Sequence, residues 1–83
     1  MNNFDHVGDT LIRSVLQGDI SEDSLCYALS KTMNAALKDM THPLLTQHYA
    51  EKRLSLAQEA SDWWNEKGNA FKAVKCLQEF WTI

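Results

Sequence analysis

Past Gly8, only Gly18, Pro43 and Gly68 interrupt this chain of 83 residues. Glycine weakens a helix interior, and proline removes one of its backbone hydrogen bonds. Three breaks therefore divide the chain into four stretches, each long enough for a helix. No stretch of useful length alternates apolar and polar residues with period two, as a half-buried strand would. Apolar residues instead recur every three or four positions. The pattern predicts an all-α protein: a single compact bundle of three to four helices over residues 1–83, with a long third helix and a C-terminal αα-hairpin.

The first helix is predicted from about Asn3 to Gln17, with Phe4, Val7, Leu11, Ile12, Val15 and Leu16 on one face. Gly18 suits the left-handed residue that ends a helix. The second helix opens with Ser21 as N-cap and with Glu22 and Asp23 in the first turn, where the helix dipole favours acids. Ile20 and Leu25 are spaced for a hydrophobic staple. Leu25, Leu29, Met33, Leu37 and Met40 form its apolar stripe, beside a mixed flank of Ala28, Thr32 and Ala35.

The segment Met-Thr-His-Pro-Leu-Leu breaks the chain near Thr41 and His42, with Thr41 the expected cap. Pro43 fits a first helical turn, so the third helix is predicted from Pro43 to Lys67. It carries two adjoining stripes, Tyr49–Leu56–Ala60–Trp63 and Ala50–Leu54–Ala57–Trp64, a face wide enough to meet two neighbours. Gly68 and Asn69 end it and cap the fourth helix, predicted over Ala70–Trp81. Its dense stripe is Ala70, Ala73, Val74, Leu77, Phe80 and Trp81, with Phe71 and Cys76 off the centre. An antiparallel return of this helix on the third puts Trp81 near Leu54.

The residues argue against most chemistries. His6, His42, His48, Cys26, Cys76 and the nearby acids supply no set of inward ligands from facing helices, so no metal or other cofactor is expected. No nucleophile sits in a recognisable setting, and a small helical domain seldom forms a deep pocket, so no enzyme is expected. There is no glycine-rich phosphate loop. Cys26 and Cys76 lie 50 positions apart in sequence and read as small core residues on or beside buried faces. The start, Met-Asn-Asn-Phe-Asp-His-Val-Gly-Asp, has neither the basic nor the apolar stretch of a signal peptide, and no run is apolar enough for a membrane span. The expected location is the cytoplasm.

Composition then turns the reading towards a partner. The net charge is −3. Residues 1–24 hold Asp5, Asp9, Asp19, Glu22 and Asp23 against Arg13 alone. An acidic chain without a basic cluster suits a polyanion poorly. The nearest approaches to a DNA-reading face, Lys72–Lys75–Gln78 and Lys52–Arg53, are interrupted by acids or an indole. Trp63 and Trp64 are neighbours, about 100° apart around a helix, so they cannot both point straight into one thin core. Either all three tryptophans fill the bundle, or Trp63 or Trp64 joins Tyr49 and Phe71 in an exposed aromatic patch.

The stretch Ala60–Phe80, with Trp64, Gly68, Ala73 and Leu77, resembles a tetratricopeptide-type helix hairpin. That resemblance implies peptide or protein binding. It is confined to this stretch, and any tight αα-hairpin shows the same residues. The function expected is a non-catalytic protein–protein interaction module: an adaptor or a stoichiometric inhibitor, by analogy of size and charge with phage-type inhibitors and immunity proteins. Its contacts would be Trp63, Trp64, Tyr49 and Phe71 as apolar anchors and Asp19, Glu22 and Asp23 as acidic ones. A small helix-turn-helix-like DNA-binding regulator and a structural homodimer are the alternatives.

Overall fold

The computed structural model describes residues 9–83. They form four α-helices: α1 Thr10–Leu16, α2 Glu22–Thr41, α3 Gln47–Asn65 and α4 Ala70–Thr82, with no strand among the described residues. The result is the all-α bundle that the apolar spacing predicts.

α1 begins after Asp9, whose side chain accepts from the backbone N–H groups of Leu11 and Ile12. The same carboxylate accepts the Tyr27 hydroxyl at 2.7 Å, which ties the start of α1 to α2. That bond, helped by the two N–H groups, holds the Asp9 carboxyl below the ordinary carboxylate range, and it raises the Tyr27 hydroxyl in turn. Phe4 and Val7, and the predicted helix before Asp9, lie outside the described residues. α1 stops where Gly18 adopts φ 121°, a backbone region that side chains with a Cβ rarely enter.

α2 differs from expectation in two respects. Ser21 stands at the N-cap but makes no side-chain capping bond; instead Asp19 Oδ1 accepts the Ser21 N–H at 3.1 Å. The buried line is Leu25, Ala28, Leu29, Thr32 and Ala36, while Leu37 and Met40 are exposed. Thus the mixed flank, not the far half of the leucine–methionine stripe, faces the core. Small residues spaced by four let α2 approach α3 closely: Ala28 shares one core cluster with Ala60, and Ala36 shares another with Leu56 and Ala57.

α3 starts at Gln47, four residues later than Pro43, because Thr46 is its N-cap and accepts the Tyr49 N–H. Thr41 ends α2 instead of capping α3. Between them His42 Nδ1 accepts the Leu44 N–H and fixes a tight turn. Both predicted stripes of α3 turn inward: Ala50, Leu56, Ala57 and Ala60 are buried, and Tyr49, Leu54, Trp63 and Trp64 are half-buried.

Gly68 at φ 61° turns the chain, and Asn69 caps α4 by accepting the Lys72 N–H. α4 runs back along α3 and buries Ala73, Val74, Leu77 and Phe80. Trp81 touches both core clusters, lies with Leu54 against the second, and donates Nε1–H to the buried Thr32 hydroxyl at 3.0 Å. Arg53 closes this end. Its Nε donates to Asp39 at 2.6 Å, its Nη1 to the Phe80 carbonyl at 3.2 Å, and its guanidinium lies 4.0 Å from the centre of the Phe80 ring.

Candidate partner-binding site

The residues singled out by sequence fall into four separate environments. Tyr49 belongs to the Arg53 end of the bundle. Its hydroxyl donates to the Ile83 carbonyl at 2.8 Å, and the Arg53 guanidinium lies 5.4 Å from its ring centre. Trp63 is half-buried near the other end of α3, with the Lys67 and Lys72 ammonium groups 4.2 and 4.4 Å from its ring centre. Trp64 is half-buried against the first core cluster. Tyr49 and Trp63 stand fourteen residues apart on one helix, about 21 Å at 1.5 Å per residue. The four aromatics therefore do not make one patch; the length of α3 separates Tyr49 from the tryptophans.

Phe71 is different. Off the centre of the α4 stripe, in its first turn, it is 68% exposed. Across from it stands Ile20, 51% exposed, in the connection between α1 and α2. Leu16 and Val74 floor the groove between them, which has a volume of about 410 Å³. Gln78 lines it too and donates its amide to the Leu16 carbonyl at 2.9 Å, fixing α4 against the end of α1. Gly18 opens one wall, and Lys75 lines the other with its ammonium 5.0 Å from the Phe71 ring centre.

The three acids lie on this corner in sequence order around Ile20. Asp19 precedes it; Glu22 and Asp23 open α2 directly after it, and all three are exposed. Hydrogen bonds from the Ser21 N–H, then from the Ser21 and Ser24 side chains, hold the Asp19 carboxyl below its ordinary range. The fold thus brings Phe71 and Ile20, about fifty residues apart in sequence, to one groove, while Asp19, Glu22 and Asp23 flank Ile20 in sequence without lining it. Tyr49 and the two tryptophans are not among its lining residues. Ile20, Leu16 and Val74 are absent from the sequence-derived set. Ile20 does carry a signal in sequence: it is an isoleucine flanked by acids, read as half of a staple, which the fold leaves half in solvent.

Little else on the surface offers chemistry. Cys26 is exposed on the outer side of α2, not in a core, and Cys76 is half-buried; both are free. The expectation of two core cysteines fails for Cys26 because α2 rotates its alanine–threonine flank inward. Burial, then the Glu59 and Glu79 carboxylates, push the Cys76 thiol up, away from a reactive thiolate. Among the described residues no three His, Cys, Asp or Glu side chains gather to hold a metal ion, and no helix is long and apolar enough to cross a membrane. No protein-family model, curated protein or solved structure matches the chain.

Proposed function

We propose that this chain is a non-catalytic protein–protein interaction module, a small adaptor or stoichiometric inhibitor, that engages its partner through the Phe71 corner. One observation carries the reading: a large aromatic ring and an isoleucine stand mostly in solvent on either side of an apolar groove, with three carboxylates on the adjoining segment. Exposed apolar side chains that line a groove and are rimmed by charge mark interaction sites, and a phenylalanine over a groove is the kind of anchor that carries binding energy. The acids favour a partner with a basic rim and speed its approach. Arg53, one of the cations a DNA-reading face would need, is tied to Asp39 inside the bundle, which weighs against the nucleic-acid alternative.

The test is capture of a specific protein from the source cells by wild type, Phe71→Glu and the double variant Glu22→Lys/Asp23→Lys. Phe71→Glu, with unchanged helical circular dichroism, should lose the captured protein. The charge-reversed variant should bind it with a slower on-rate and a weaker salt dependence. Equal capture by wild type and Phe71→Glu would sink the proposal.

A further inference from the structure

The Phe71 corner carries both halves of a contact with itself. Phe71 stands mostly in solvent, and beside it lies the apolar groove of about 410 Å³. A cavity of about 150 Å³ is enough for a benzene ring, so the groove admits a phenyl group. The two walls also differ in charge. Lys75 is the one charged residue lining the groove, and it belongs to the α4 wall with Phe71. Its ammonium pairs with no carboxylate among the described residues. The opposite wall carries Ile20, with Asp19 directly before it and Glu22 and Asp23 close after it, all exposed.

We infer, resting on the reading of this corner as the interaction site, that it also binds a second copy of the chain, with a two-fold axis along the groove. A two-fold interface must complement itself, and each of its contacts occurs twice. Rotation about that axis lays the α4 wall of each copy over the Ile20 wall of the other. Each Phe71 then enters the other copy's groove, against Ile20, Leu16 and Val74. Each Lys75 faces the other copy's Asp19, Glu22 and Asp23. An axis across the groove would instead set lysine against lysine and acid against acid, so charge selects the first arrangement. Although the chain has a net charge of −3, its acids meet a cation here and not one another. The dimer covers the corner. A different protein must displace the second copy to reach Phe71, so self-association weakens its capture as chain concentration rises.

Sedimentation equilibrium from micromolar to millimolar chain concentration tests this, with variants at exposed positions that leave the core untouched. Wild type should approach twice the 9.5 kDa chain mass as concentration rises. Phe71→Glu should raise the dimer dissociation constant at least about tenfold, corresponding to about 1.4 kcal/mol. Lys75→Glu makes both walls acidic, and Glu22→Lys/Asp23→Lys makes both basic, so each should dimerise less than wild type. Mixed in equal amounts, these two variants should associate with each other, because every wall then faces its opposite charge; added salt should weaken that association. A wild type that stays monomeric throughout overturns the inference. So does a dimer that Phe71→Glu leaves intact, or a mixture no more associated than its separate components. A monomeric wild type that still captures a specific protein, lost in Phe71→Glu, rejects the second copy and leaves the interaction module standing. A dimer that behaves as described while no protein is captured does the reverse.

Discussion

α4 and α2 treat their apolar stripes in opposite ways. On α4 the predicted stripe is buried at Ala73, Val74, Leu77 and Phe80 and half-buried at Ala70 and Trp81, and the off-centre Phe71 is exposed. On α2 the predicted stripe is buried at Leu25 and Leu29, half-buried at Met33 and exposed at Leu37 and Met40. Helical spacing is clear in both. The difference lies in how the neighbour is chosen. A tight turn at Gly68 forces α4 back onto α3, so its strongest stripe meets an apolar face at once. α2 has neighbours on several sides, and it buries the small residues Ala28 and Ala36 against α3 and Thr32 against Trp81 of α4.

The sharpest way to break this contrast is at Phe80, which has no exposed surface. Phe80→Ala should cost about 3–5 kcal/mol in denaturant unfolding, whereas Leu37→Ala should stay within about 0.5 kcal/mol. A comparable loss at both sites would mean that α2 is buried as its stripe predicts. Next comes the ion pair that closes the α3–α4 end. Arg53 and Asp39 side chains are 11% and 17% exposed. Asp39→Asn should cost about 2 kcal/mol, less than a fully buried pair because water still reaches it. Unfolding midpoints unchanged by the substitution would reduce Arg53 to a surface residue.

Trp81→Phe keeps an aromatic ring but removes the Nε1–H donor to Thr32, and should cost about 1 kcal/mol. Combined with Thr32→Val, the loss should be less than additive, since both changes remove one bond. Strict additivity would show that the threonine is tolerated on the inner face of α2 without serving the indole. The smallest effect concerns the α1–α2 contact. The Asp9 carboxyl is lowered in the folded state, so its contribution is present above the unfolded carboxylate value and is lost as the pH falls through the folded one. Tyr27→Phe removes the main cause of that lowering. Stability measured by denaturant titration should then decline less on acidification below about pH 4 than in wild type. Parallel declines would leave Asp9 as a cap alone. On the alkaline side the sign reverses: Tyr27 is raised, so its contribution is intact below the ordinary tyrosine value and fades above it.

Much of the fold is legible along the chain. Gly18 and Gly68 end helices where their positive φ requires glycine, Asn69 caps α4, and the α4 stripe names its own buried face. Each of these depends on residues a few positions apart. The start of α3 is not legible in this way, because Pro43 and Thr46 both make acceptable openings, and only the His42–Leu44 turn decides between them. The candidate site is half legible. Phe71 stands out as off-stripe and the acids as a cluster, but nothing local joins them.

By itself, then, the order of residues determined that this chain is helical, where most of its helices stop, and which side of α4 must leave water. Those outcomes follow from backbone dihedrals and from apolar spacing within a few turns. Only tertiary structure decided which flank of α2 is buried, that Tyr49 and Trp63 stand at opposite ends of one helix, and that Phe71 faces Ile20 across a groove. Such outcomes depend on how closely two helices can approach, and side chains far apart in sequence set that distance together.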